Sequence, residues 1–576
     1  MAMVAGIFIG ILFFGNASTI TGLGSAGAPP QELLYVSSTT GLLRGSKLRN
    51  HWNSKADKFK EYLHHKHELG VAATNSENRM AHSQSVSSAY PHMGLAPPKN
   101  YNIKASWKPP GGKRFEEYKD GTSPYPITDQ IKQQSDDLAR IRREYVKIAM
   151  EVTWEGYETY AFGMDEILPI SRRGTNNWGG FAVTMVDSMD TLWLLGMRDE
   201  FSRARDYVKN VLNYDKGVRA VSFFETTIRS VGGLLSAYDW SGDTLFLDSA
   251  LELGRRLIRA FDDSDTGIPF GQVNLQTGKS SNVPWAGNNA ILAEFGTVQL
   301  EYRWLDAYIN TPETAEMRRK VEHIYDVLYD MRTPNGLFPY YMDMTIQQTS
   351  STLAFANNHY TFGAMADSFY EYLLKTWIQG GKVENKYREM YDSAMQGMHD
   401  ELLHFSVPSG LAYIADKNGE IVDHKMDHLV CFMGGLLGLG AYTDPLGLDS
   451  ERAQRDLKTG RALAYTCYQM YARMNTGISP EYVQFVNGDD LRIGAGASHY
   501  LLRPEAIESF FILNYLTGDP IYREWGWEIF QSVEKYCRAG VGYGTLKDVS
   551  NTNLSPDDKT ETFWIAETLV RFNLLC

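Results

Sequence analysis

From Ser135 to Cys576, apolar residues recur at the three-and-four spacing of helices, and short Gly/Pro/Asp turns separate the segments. The spacing predicts helices over Val183–Met197, Glu225–Trp240, Thr244–Phe261, Asn289–Ile309, Ala364–Ile378, Asn385–Leu403, Ala453–Met474, Ala506–Leu516 and Tyr522–Tyr536. Ser241-Gly242-Asp243 and Thr517-Gly518-Asp519-Pro520 read as tight helix–helix turns. No alternating β-pattern rivals these runs. One helix pair cannot bury its own faces, so pairs repeated over 576 − 135 = 441 residues must stack on one another. They stack as an open solenoid or as a closed ring, and periodicity does not separate the two.

Residues 1–134 have a different texture. The apolar run Met3 to Phe14 is shorter than the roughly 20 residues of a membrane span. It fits a signal-peptide core, with Gly15-Asn16-Ala17 as small residues for cleavage, or a shortened signal-anchor; a buried helix is the third reading. Residues 18–134 are rich in Ser, Gly, Pro, Asn and His without sustained periodicity, and read as a stem. His64, His65 and His67 cluster there as a solvated tract rather than a metal site.

Lys+Arg total 56 against 69 Asp+Glu, a net charge of −13, which argues against gripping a phosphate backbone. The 34 Tyr and 12 Trp suit the C–H faces of sugars and equally suit a large helical core. Four cysteines without C-x-x-C spacing exclude a disulfide scaffold and a zinc ribbon, and leave room for one bridge in an oxidising compartment. H-E-x-x-H and G-x-S-x-G are absent. Thr277-Gly278-Lys279-Ser280 has Val273 where a phosphate loop needs its first Gly.

Carboxylates at helix starts remain. Glu225 and Arg229 stand four apart on one face, as in an ordinary helix ion pair. Asp367 opens a helix in which Ser368 and Glu371 have capping-box spacing. Glu505 and Glu508 follow Pro504 and share a face, which is unfavourable unless a cation or water sits beside them. Glu561 lies near the C-terminus.

Taken together, Val186–Trp193, Phe224–Arg229 with Gly232–Leu235, Thr266–Pro269, Asp367–Lys375, His428–Phe432 and Leu502–Ser509 resemble, in order, the class I α-mannosidases of glycoside hydrolase family 47. The resemblance covers about Arg140 to the C-terminus. It implies an all-α fold, a closed (α/α) barrel of seven helix hairpins over residues 135–576, and calcium-dependent, inverting removal of α-1,2-linked mannose from high-mannose N-glycans on glycoproteins. Carried over motif by motif, Glu225 would be the general acid, Glu505 the general base and Asp367 a third essential carboxylate. Arg229, Glu294, Arg503, Glu508 and Glu561 would bind substrate. One Ca²⁺ would be held by water-mediated contacts to Glu505, Glu508 and Glu561, and Cys431 and Cys467 would form a disulfide, with Cys537 and Cys576 unassigned. A monomer in the lumen of the Golgi or endoplasmic reticulum, secreted or a type II membrane protein, is implied as well.

Two departures qualify the resemblance. Met365 stands where endoplasmic-reticulum-type members carry an Arg that narrows the choice of mannose, so trimming of several mannoses is expected. The family's terminal Asn-Thr-Glu-Ala motif, whose Thr ligates calcium directly, has no counterpart in this sequence. The chain thus reads as C-terminally truncated relative to the family, and weak calcium binding and reduced activity are expected of it. A non-catalytic glycan-binding relative and a helical scaffold are the rival readings, and the scaffold predicts no convergence of Glu225, Asp367 and Glu505.

Overall fold

The long helices fall into two chemical kinds, and the difference decides the architecture. In the computed structural model, which describes residues 120–123, 126–216, 219–344, 353–486 and 488–576, one kind is amphipathic. Helix α1 (Asp129–Tyr160) buries Ala139, Arg142, Val146, Ala149, Met150 and Tyr157 along one stripe. The two short helices α2 (Val183–Asp187) and α3 (Met189–Leu194) belong to the other kind, buried on nearly every side. Helix α4 (Arg198–Asn210) is again amphipathic, with only Phe201, Ala204 and Val208 buried.

The alternation continues. Helices α5 (Gly232–Ser241), α7 (Gln299–Ile309), α9 (Asp367–Gln379), α11 (Met433–Tyr442) and α13 (Glu505–Thr517) are buried around most of their circumference. Each is followed by an amphipathic partner: α6 (Thr244–Leu257), α8 (Pro312–Asp330), α10 (Asn385–Gly397), α12 (Glu451–Ala472) and α14 (Ile521–Tyr536). A π-helical stretch, Trp564–Leu569, runs into α15 (Val570–Leu575) as the last buried element. A helix without a solvent face must be covered on both flanks. Here α3 packs on α5, α5 on α7, α7 on α9, α9 on α11, α11 on α13 and α13 on α15, and the stretch before α15 returns to α2 and α3. That is a closed ring of seven inner elements among the described residues, each backed by an outer helix. The seventh hairpin pairs the two ends of the domain, α15 with α1. The fold is an (α/α) barrel, as the resemblance implies.

Local chemistry sets the approach distances. Helix α11 is built of Met-Gly-Gly-Leu-Leu-Gly-Leu-Gly and lies close against α12, where a Cβ added to Gly460 would fall 2.7 Å from the carbonyl oxygen of Gly434. A disulfide between Cys431 and Cys467, with Cα atoms 5.8 Å apart, fastens the same two segments. Cys537 and Cys576 are buried free thiols.

Several boundaries differ from the sequence reading. The ordered domain starts before residue 135: α1 begins at Asp129, the Ser123 hydroxyl donates to Asp519 (2.6 Å), and Tyr522 donates to the Gly121 carbonyl (2.6 Å). The signal or anchor expected over 1–17, the stem over residues 18–119 and the His64–His67 tract lie outside the described residues. No described helix is long and apolar enough to cross a membrane. The Asn289–Ile309 helix is interrupted between Phe295 and Gln299, where a Cβ on Gly296 would strike Phe369. Small antiparallel sheets, absent from the sequence reading, occupy connections between hairpins. Several run directly into the starts of inner elements: Val221–Ser222 precedes Phe223–Thr226, Ala290–Ile291 precedes Leu292–Phe295, and Lys425–Asp427 precedes His428. Because each outer helix returns the chain, all inner helices begin at the same end of the barrel, and their N-termini converge there.

The ring closes through a buried fork. Arg142 on α1 donates twice to Glu524 on α14, both at 2.8 Å, with its guanidinium 5.4 Å from the Trp527 ring centroid. Arg142→Ala should cost about 3–5 kcal/mol in chemical unfolding by stranding Glu524, whereas the joint replacement Arg142→Met with Glu524→Leu should recover most of that loss. A single-variant cost of about 1 kcal/mol or less, the value of an exposed pair, would show that the seam does not depend on this fork.

Candidate active site

Four of the anticipated carboxylates sit in the first turn of an inner element. Glu225 lies in Phe223–Thr226, Glu294 in Leu292–Phe295, and Asp367 and Glu505 are the first residues of α9 and α13. Helix N-termini favour anions through their unpaired N–H groups and dipole. The backbone ahead of two of them is held in the left-handed region, Met365 at φ 83° and Leu502 at φ 64°. For such side chains this conformation costs about 1–3 kcal/mol. It is tied down by hydrogen bonds from Ala293 N to the Met365 carbonyl (2.8 Å) and from Thr568 Oγ1 to the Leu502 carbonyl (2.7 Å).

One guanidinium joins the set. The charge of Arg503 acts on Glu225, Asp367 and Glu505, so three carboxylates from distant parts of the chain lie within its electrostatic reach. Glu481 holds Arg503 at 2.7 Å, and Glu561 also acts on it. Glu225 accepts from Arg229 Nε at 2.8 Å, and Arg229 Nη1 donates to Thr562 Oγ1, which donates to Asp187 (both 2.8 Å). Arg229 is further flanked by Trp178 and Phe563, at 5.0 and 5.5 Å from the ring centroids. A Cβ on Gly271 would fall 2.6 Å from Glu294 Oε2, so a larger residue there would displace this carboxylate.

Protonation differs sharply around the site. Burial pushes the Glu505 carboxyl up, but His428 and Arg503 outweigh it and hold Glu505 below the ordinary carboxylate range. His428 Nδ1 is 3.0 Å from Glu505, so an ionised carboxylate makes this nitrogen the donor, and the Tyr471 hydroxyl then donates to Nε2 at 2.6 Å. Burial likewise opposes Arg229 at Glu225, where the net shift is downward. Asp367 goes the other way: burial raises it to about 6. Glu294 is raised to about 7 by burial and then by the Glu225 charge, and Asp187 to about 7 by burial against Arg229. The site therefore holds protons on Glu294 and Asp187 up to about pH 7, and on Asp367 up to about pH 6. Access is graded: the Glu225 and Arg503 side chains keep 23% and 17% exposure, while Glu505 keeps 1%.

A second layer lies about one turn deeper. Glu371 pairs with Lys375, so the capping-box reading of Glu371 is replaced: α9 starts at Asp367 with Ala366 as cap and without a side-chain cap bond. Lys375 and Arg571 flank Glu508 at 3.5 and 3.4 Å, and Arg571 donates to Glu567 at 2.7 Å. These are the cations that the Glu505/Glu508 spacing calls for. Glu567, missed in the sequence, is pushed up to about 8 by burial despite Arg571. Its signal was a charged pair four apart, Glu567 and Arg571, in an otherwise apolar run. Asp187 and Thr562 were missed because each is ordinary locally.

These side chains do not build a direct ligand shell for the calcium that the resemblance implies. Calcium takes six to eight oxygens, yet no group of three or more His, Cys, Asp or Glu among the described residues could hold a metal ion. Glu505 is committed to His428, Glu508 to Lys375 and Arg571, and Glu561 to Lys559 at 2.5 Å.

The profile of glycosyl hydrolase family 47 matches residues 149–575. A mannosyl-oligosaccharide 1,2-alpha-mannosidase of Arabidopsis thaliana is 42% identical over 464 residues, covering 80% of this chain and 79% of that protein. An endoplasmic reticulum mannosyl-oligosaccharide 1,2-alpha-mannosidase of Rattus norvegicus is 40% identical over 73% of this chain, which spans 62% of the rat protein's length. Among solved structures, the alpha-1,2-mannosidase from Trichoderma reesei superposes with a TM-score of 0.68 at 26% identity, over 75% of this chain and 93% of that one.

The raised carboxyls set the pH dependence of stability. Asp187, Glu294 and Glu567 keep protons in the folded state that the unfolded chain releases near 4, so the unfolded state binds fewer protons up to about pH 8. Stability should then fall as pH rises through that window. The depressed Glu225 and Glu505 act only below it. Urea unfolding should show a higher midpoint at pH 5 than at pH 8, with the gap narrowed in Glu567→Gln. A midpoint that climbs steadily to pH 8 would contradict the assignment.

Proposed function

The chain belongs to glycosyl hydrolase family 47, and from that premise we propose that it is an exo-acting α-1,2-mannosidase that trims high-mannose N-glycans with inversion at the anomeric carbon. What supports this reading is that Glu225, Asp367 and Glu505 all stand in first turns of inner elements and all lie within the electrostatic reach of Arg503. Inversion requires one carboxylate to activate water and one acid to protonate the leaving oxygen, on opposite faces of the sugar and about 6.5–9.5 Å apart.

Glu505, ionised and buried, takes a proton from water as that water attacks C1. The C1–O bond to the next mannose breaks, and the leaving oxygen receives a proton on the Glu225 side. Glu225 is depressed in the free site, so Asp367, raised to about 6, is the proton reservoir that recharges it. Partial exposure at Glu225, Arg503 and Glu294 provides the polar lip where mannose hydroxyls bind, with Arg229 and Glu561 supporting it. Calcium dependence is a property of the family; the donor set described above does not build an ion's first shell, and no step is assigned to calcium here. Work in the lumen of the secretory pathway on glycoprotein glycans, as a monomer that is secreted or anchored by its N-terminus, completes the proposal.

Glu505→Gln and Asp367→Asn should each lower kcat for mannose release from a high-mannose glycan by about 10²–10⁴-fold. Since Asp367 must carry its proton, kcat/KM should fall above about pH 6 in the wild type, and this limb should vanish in Asp367→Asn. Glycan binding with no turnover by the wild type would instead establish a non-catalytic binding protein.

Met365, half-buried and neutral, stands two residues ahead of Asp367. Digestion should remove more than one α-1,2-mannose at comparable rates, and Met365→Arg should narrow the products. A wild-type digest that stops cleanly after one mannose would refute the broad specificity.

A further inference from the structure

Below the carboxylates that face the substrate, five ionisable side chains from three inner elements form an unbroken chain that links those elements. Glu371 and Lys375 come from α9, Glu508 from α13, and Glu567 and Arg571 from the last inner element. Their side chains are between 1% and 5% exposed. Lys375 contacts Glu371 and lies 3.5 Å from Glu508 Oε1. Arg571 lies 3.4 Å from Glu508 Oε2 and donates to Glu567 Oε2 at 2.7 Å. Acid and base side chains alternate along the whole chain: carboxyl, ammonium, carboxylate, guanidinium, carboxyl.

An acidic floor without these cations would need charge from outside, because isolated buried carboxylates are strongly unfavourable. Here both oxygens of Glu508 and one each of Glu371 and Glu567 already face protein cations. Within this cluster the one carboxylate oxygen buried without a hydrogen-bond partner among the described residues, Glu567 Oε1, is far short of a six- to eight-oxygen shell. A divalent ion placed among them would also sit beside two fixed positive charges in a medium that screens poorly.

We propose that Lys375 and Arg571 are built-in counter-cations of the barrel floor, that the folded state is therefore held without a divalent cation, and that removing Arg571 converts the floor into a cation-dependent one. This is independent of the mannosidase reading, since its readout is unfolding rather than turnover.

The test is thermal unfolding of the full chain in millimolar Ca²⁺ and in a calcium chelator, with Tb³⁺ luminescence as a direct binding probe. The wild-type Tm should be the same in both media, and Tb³⁺ should give no saturable signal. Arg571→Gln should unfold at lower temperature in chelator, recover part of the loss in Ca²⁺ and bind Tb³⁺ saturably, since a ligand of the folded state alone raises Tm. Arg571→Lys, which keeps the charge, should fold and remain indifferent to Ca²⁺, so the idea stays testable if the Gln variant does not fold. A wild-type Tm that drops in chelator would overturn the proposal, as would an Arg571→Lys Tm raised by Ca²⁺. A folded Arg571→Gln chain that ignores Ca²⁺ would overturn its last part.

Discussion

The seam where α1 meets α14 and the C-terminal inner element is the contact on which the rest depends. Inner helices such as α11 and α13 have no solvent face, and they are stable only because each is covered on both flanks and from behind. An open stack would leave two terminal hairpins with an apolar flank in water. Arg142 and Glu524 supply the directional part of the closing contact. Arg143 and Arg523 add hydrogen bonds to the last carbonyls, Cys576 and Leu575, at 3.0 and 2.8 Å. Those bonds satisfy acceptors that a helix end otherwise leaves bare.

Closure also creates the chemistry. Hairpins of one hand around a ring put every inner N-terminus at the same end, so acids placed in first turns are forced together. Burial then opposes the ionisation of all of them, and the outcome at each is decided by the donors and cations that reach it. Glu225 has Arg229 and Glu505 has His428 and Arg503, and both are held ionised. Asp367, Glu294 and Asp187 are less well served and are pushed up. A few cations thus divide a crowd of like groups into bases and proton carriers. One turn further down, Lys375 and Arg571 do the same for Glu371, Glu508 and Glu567.

Much of the frame was legible locally. The helices Thr244–Leu257, Asn385–Gly397 and Ile521–Tyr536 carry a clean apolar stripe, and turns such as Ser241-Gly242-Asp243 announce themselves through Gly242 at φ 70°. Illegible helices failed for opposite reasons. Helix α4 has few apolar residues to repeat, and α11 has nothing else, so neither shows a period. The short sheets were invisible because two- or three-residue strands are too brief to alternate. Carboxylates at helix starts could be found, but Glu371 was misread, since Ser368 three residues earlier offers a complete local explanation.

The sequence by itself determined nine of the helices, three complete hairpins among them, and the acids Glu225, Asp367 and Glu505 at helix starts, because helical spacing and end signals act over a few residues. The resemblance of its ordered motifs supplied the ring and the Cys431–Cys467 pairing, which spacing alone leaves open. Only the tertiary structure decided that Glu505 is ionised while Asp367 keeps a proton to about 6, and that Glu508 is answered by Lys375 and Arg571. Those outcomes depend on burial and on partners brought in from other helices, His428 to Glu505 and Lys375 to Glu508, and a charge interaction through a poorly screening core takes no account of distance along the chain.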